Sequence, residues 1–101
     1  MNRHIFLDLE TLALGSRPAI VQIGLVVFDA DRIVQGVRWE VEYSVDIRAG
    51  GAVHGSTLRW WAEQPGETRR ALLSPARTHP AEAVRAVQAA ASPWEPAGYW
   101  A

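Results

Sequence analysis

Cysteine and lysine are both missing from this chain of 101 residues, and methionine occurs once. Without Cys there is no disulfide framework and no thiolate metal site, so a bound metal would be held by oxygen or imidazole ligands, which hard cations prefer. Without Lys, all ten basic residues are Arg. That bias fits GC-rich codon usage, and it also fits bidentate contacts to phosphate. A long apolar run is lacking too. The longest, Ala19 to Phe28, is broken by Gln22 and falls well short of the ~20 residues of a membrane span. The first residues lack the basic flank, apolar stretch and cleavage site of a secretory leader, so a cytoplasmic protein is expected. Net charge is only −1, and no global basic field announces a nucleic-acid partner.

What is present suits one small domain, residues 1–101, with 49% hydrophobic residues to build a modest core. His4 to Leu9 reads as a first strand, and Thr11 to Pro18 as a loop punctuated by Gly15 and Pro18. Ala19 to Phe28 is β-branched and nearly continuous, as in a central strand buried on both faces. After a turn at Asp29 to Arg32, Ile33 to Tyr43 alternates as a third, half-exposed strand would, giving an antiparallel meander. Arg48-Ala49-Gly50-Gly51 reads as a flexible loop. Ser56 is a good N-cap for a helix through Trp60 and Trp61 to about Gln64. Pro65-Gly66 ends it, Glu67 to Leu73 can form a further turn or two of helix, and Pro80 to Ala91 opens with Pro and is rich in Ala, a helix signature. Ser92 to Pro96 reads as a rigid linker, and Tyr99-Trp100 as the start of another strand.

Two acids stand inside the first strand, in Phe6-Leu7-Asp8-Leu9-Glu10-Thr11-Leu12. Residues i and i+2 of a strand share a face, which sets Asp8 and Glu10 roughly 6.5 Å apart along the chain. Two ionised carboxylates brought together into a partly buried place repel and lose hydration, a cost offset by a cation or an arginine. A divalent metal in a phosphoryl-transfer site is one solution; a solvent-facing strand cap, or a pairing with Arg17, is the other.

Phe6 to Leu12, followed by Arg17-Pro18-Ala19-Ile20-Val21-Gln22-Ile23-Gly24 and a β-rich run ending in Phe28-Asp29, resembles the first motif of the DEDD (DnaQ-like) 3'–5' exonucleases. Gly50-Gly51-Ala52-Val53 and Ser56-Thr57-Leu58-Arg59-Trp60-Trp61-Ala62-Glu63-Gln64 resemble the phage and prophage exonuclease VIII-like branch. The likeness runs over most of residues 4 to 101. It implies an α/β (α+β) fold: the N-terminal part of an RNase H-like fold, with a three-stranded antiparallel meander, then helices, then a short parallel fourth strand begun by Tyr99-Trp100. It also implies a bacterial or phage-encoded enzyme acting on the 3' end of single-stranded DNA or RNA. In it Asp8 and Glu10 would be the catalytic, metal-binding pair for two Mg²⁺ or Mn²⁺ ions, and Thr11 and Leu12 would line the pocket of the terminal nucleotide. The family's second and third motifs, with two further aspartates and a His or Tyr base, have no counterpart in the sequence. A truncated domain, inactive or weak by itself, is the expectation.

Local residues offer poor substitutes. Asp29 and Asp31 lie at the far end of the second strand, on the order of 20 Å or more from Asp8 at strand rise, while Asp46 and His54 fall in segments of uncertain placement. Trp60 and Trp61 point about 100° apart on a helix, so one packs and the other, taken to be Trp61, is left to stack on a base. Trp39 reads as core, His4 and His79 as surface, and Arg69-Arg70 as a solvated pair or a phosphate contact. The competing class is a non-catalytic module that pairs its exposed sheet edge with a partner chain or a second copy.

Overall fold

The computed structural model describes residues 3–94. Three strands come first, β1 (His4–Thr11), β2 (Ile20–Phe28) and β3 (Ile33–Glu40), followed by four helices: α1 (Tyr43–Arg48), α2 (Gly55–Ala62), α3 (Gly66–Leu73) and α4 (Pro80–Ala91). A 3₁₀ turn, Ser92–Trp94, ends the described chain. The sheet is antiparallel in the order β1-β2-β3, so the architecture is the expected α+β meander followed by helices. Tyr99-Trp100, expected to begin a fourth strand, lie outside the described residues.

Register fixes which side chains share a face. Asp8 pairs with Gly24 and Glu10 with Gln22, while Gly24 pairs with Arg38 and Gln22 with Glu40. One face therefore carries the rows Asp8–Gly24–Arg38 and Glu10–Gln22–Glu40. The other face carries Val21, Ile23, Leu25 and Val27, all buried. Burial along β2 alternates strictly, correcting the expectation of a strand buried on both faces. Helices pack closely on the buried face, with Ile23 and Val41 meeting Ala83 and Val87 of α4. A second cluster joins Leu12, Ala19 and Val21 to Trp61 of α2, closing the end of the sheet where β1 leaves and β2 begins.

Several boundaries differ from the sequence reading. The third strand stops at Glu40 and Tyr43 starts α1, because Glu42 caps that helix, its carboxylate accepting from Ser44 N–H at 3.3 Å and Ser44 Oγ–H at 2.8 Å. Of the stretch read as a loop, Arg48 ends the same helix, and Ala49 to Gly51 form the turn that leaves it. Gly50 turns left-handed at φ +95°, and Gly51 N–H donates to the Asp46 carbonyl at 2.7 Å. Helix α2 begins one residue before Ser56 and its N-cap is His54, which makes no side-chain cap bond. Helix α4 has the expected bounds, with Nδ1 of His79 accepting from Ala81 N–H at 3.1 Å. Among the described residues, no helix is long and apolar enough to cross a membrane.

Arg77 ties the helices to the sheet. Its side chain is 4% exposed and donates to five carbonyls: Val21 and Val41 at 2.6 Å, Ala71 at 2.7 Å, Leu72 at 3.2 Å and Ser74 at 3.3 Å. The guanidinium also lies over the Tyr43 ring, 4.6 Å from its centroid. The last carbonyls of α3 are thereby fastened to β2 and to the bridge residue Val41.

Candidate active site

Asp8 and Glu10 stand on the same face of β1, as their spacing requires, and among the described residues neither is ion-paired with an arginine. Arg38, on the same face, pairs with Glu40 instead, as does Arg77, each at 3.7 Å. Glu10 is half-buried; burial first, and the neighbouring Asp8 charge second, push its carboxyl above its ordinary value. That electrostatic state is one a cation would relieve. Among the described residues, no set of three or more His, Asp and Glu gathers as a metal cage. The acid pair therefore fits one side of a divalent ion and leaves the other side to further donors.

The end of β1 departs from regular pairing: Glu10 faces Gln22 but Thr11 faces Ile20, a shift that passes over Val21. Thr11 is held twice, its hydroxyl donating to the Ala13 carbonyl at 2.8 Å and its carbonyl accepting the Trp61 indole N–H at 3.0 Å. Trp61 is 2% exposed. It packs edge-on against Trp60, with ring centroids 5.4 Å apart and planes at 86°.

A cavity of about 410 Å³ opens beside this strand end, walled by Leu9, Glu10, Thr11, Leu14, Thr57 and Trp60. Thr11 lines it. Leu12 does not, because its side chain is 3% exposed inside the core, whereas Leu14, 76% exposed, takes the place at the wall. Of the two tryptophans, Trp61 is the packed one, and Trp60, 45% exposed, presents its face. The sequence pattern of an adjacent aromatic pair carried the split of roles but not its sense. On the other side of Glu10 and Trp60 lies a larger cavity, about 530 Å³, reached by Gln22, Glu40, Thr68 and Ser74. Beside Asp8, the two glycines Gly24 and Gly36 leave an open groove bounded by Phe6 and Arg38.

Asp29, Asp46 and His54 are engaged in structure. Asp29 Oδ1 accepts from Asp31 and Arg32 N–H at 2.9 and 3.1 Å. The Asp31 bond, ahead of the other causes, holds the carboxyl of Asp29 below its ordinary value. Asp46 Oδ2 accepts from Ile20 N–H at 3.0 Å, and His54 Nδ1 from Leu14 N–H at 3.4 Å.

A family model described as the 3'-5' exoribonuclease Rv2179c-like domain matches residues 3–92. The chain belongs to this family. Searches of curated proteins and of solved structures return no match. The Rv2179c-like match spans all three strands and four helices, and so includes Asp8, Glu10 and both cavities. Membership makes the chain a 3'-5' exoribonuclease-like domain, which agrees with the exonuclease resemblance of its first motif.

Proposed function

We propose that this Rv2179c-like domain is a metal-dependent exonuclease of the DEDD (DnaQ-like), RNase H-like type, in the phage and prophage branch its helix α2 resembles. It would remove nucleotides from the 3' end of single-stranded RNA. The observation that carries the proposal is the acid pair: Asp8 and Glu10 on one sheet face, neither ion-paired with an arginine among the described residues, beside a cavity walled by an exposed tryptophan.

Asp8 and Glu10 would hold Mg²⁺ or Mn²⁺, which when bound polarises phosphate oxygens and generates hydroxide near neutral pH. Trp60 offers a face on which the terminal base can stack, worth about 1–3 kcal/mol per base in single-strand sites. Thr11 and Leu14 bound the same chamber, while Leu12 and Trp61 support it from the core. With only one side of a metal cage among the described residues, the domain by itself should turn over weakly if at all.

Titration of the chain with Mn²⁺ by calorimetry, with and without single-stranded RNA bearing a free 3' hydroxyl, tests the proposal. Binding that disappears in Asp8→Asn and in Glu10→Gln is expected; equal Mn²⁺ binding by all three proteins would overturn it. A second reading, a module that pairs through β1 as the outer strand of the described sheet, draws on the exposed Phe6, Leu7 and Leu9 of that strand.

A further inference from the structure

Glu10 and Trp60 form a common wall between two cavities. The smaller presents an indole face and leucines. The larger is polar, and it is lined by the side-chain amide of Gln22, whose Nε2 donates to Glu40 Oε1 at 2.9 Å. Glu40 is itself fixed. Its other oxygen is buried without a hydrogen bond and faces the Arg77 guanidinium at 3.7 Å, and Arg77 is immobilised by five carbonyls. Leaving a buried carboxylate oxygen unbonded is costly, and the cost is met here beside a guanidinium that cannot move away. The consequence is a preset amide: one N–H of Gln22 is committed to Glu40, while the carbonyl and the second N–H have no other partner among the described residues.

An amide presenting one donor and one acceptor matches the edge of a nucleobase. Charge in this cavity argues against a phosphate. Three carboxylates, Glu10, Glu40 and Glu67, line it against two guanidiniums, Arg38 and Arg70, and Arg38 is already paired with Glu40. An uncharged base and ribose suit such a wall better. The volume of about 530 Å³ lies within the range of small-ligand sites.

We propose that this larger cavity is the subsite for the penultimate ribonucleoside, its base edge contacted by Gln22. The terminal nucleoside then lies in the smaller cavity against Trp60, with the connecting phosphodiester beside Glu10. The proposal rests on the exoribonuclease reading of the site and adds a second, polar subsite to it.

Calorimetry on the full chain in Ca²⁺, with adenosine 5'-monophosphate, ApA and ApApA as ligands, separates the two. The second nucleoside should tighten binding about tenfold, the equivalent of one or two good hydrogen bonds, and the third by less than about twofold. Gln22→Ala and Thr68→Val should each erode the gain from mononucleotide to dinucleotide while leaving mononucleotide binding unchanged, and Trp60→Ala should weaken all three ligands. Mononucleotide binding with no gain from ApA overturns the second subsite and leaves the exoribonuclease reading standing. Failure of every ligand to bind overturns both. Equal weakening of mononucleotide and dinucleotide by Gln22→Ala also overturns the subsite. Should that variant not fold, Thr68→Val on α3 and the ligand-length series on the unaltered chain decide the matter.

Discussion

Glu10 is ionised at a disadvantage. Burial and the charge of Asp8 raise its folded-state pKa above the ordinary 4.5, so its contribution to stability is fully present below that ordinary value and is lost as pH rises through the raised one. A divalent ion bound to the pair reverses the sign. The melting-temperature gain on adding Mn²⁺ should therefore grow as pH rises through this window, and Glu10→Gln should abolish the gain while leaving the metal-free protein at least as stable near neutrality. Scanning calorimetry across pH with and without Mn²⁺ checks both; a metal effect independent of pH would contradict the assignment. Asp29 behaves oppositely. Its depressed pKa contributes stability present above its ordinary 3.8 and lost as pH falls through the folded value. The tryptophans separate at the same scale. Trp61→Phe keeps the buried ring but removes the N–H bonded to the Thr11 carbonyl, a loss of about 0.5–1.5 kcal/mol. Trp60→Ala should cost no more than the edge-on pair, about 0.5–1.5 kcal/mol, yet remove Trp-dependent nucleotide binding. Urea denaturation and fluorescence titration measure the two effects.

The elements depend on contacts that sequence spacing does not reveal. Arg77 reads in the sequence as one more arginine in a Ser/Pro-rich connection, but its hydrogen bonds to Val21, Val41, Ala71, Leu72 and Ser74 join three segments far apart in the chain. Arg77→Leu removes a donor from five carbonyls, of which Val21 and Leu72 keep another, and takes the guanidinium away from the buried Glu40 oxygen; it should cost about 3 kcal/mol or more. Arg77→Lys should recover little, because an ammonium cannot span the two strands and the helix end as the guanidinium does. Gly51 is a second such point. A Cβ there would stand 2.7 Å from the Asp46 carbonyl oxygen, so Gly51→Ala should destabilise by about 1–3 kcal/mol through backbone displacement, measurable by chemical denaturation. The meander, α4 and the shared face of Asp8 and Glu10 were legible because period-2 alternation and the Pro-opened Ala-rich run are local signals. Helix α1 was not, since Tyr43 continues the apolar rhythm of β3 and only the Glu42 cap breaks it. Leu12 and Leu14 could not be sorted by counting, because the register shift after Glu10 interrupts alternation where the site begins.

Strand β1 governs how the molecule behaves as a whole. It is an outer strand of the described sheet, and Phe6 on one face and Leu7 and Leu9 on the other are exposed. A strand with an unpaired edge and apolar side chains on both faces is a template for strand addition, and charges placed on it are what discourage pairing. Asp8 and Glu10 supply such charges on the face of Phe6, whereas within β1 itself Leu7 and Leu9 share their face with Ile5 and Thr11, which carry no charge. The chain should therefore self-associate as concentration rises, through β1 rather than through the helices. Leu7→Arg combined with Leu9→Glu should return it to a monomer with little change in secondary structure. Light scattering with circular dichroism reads both outcomes. The proposed metal site lies on the same strand, on the other face, so an association that weakens on adding Mn²⁺ would show that edge pairing and the acid pair compete for one conformation of β1. An association unaffected by the double substitution would move the contact elsewhere and leave β1 free to serve the acid pair alone.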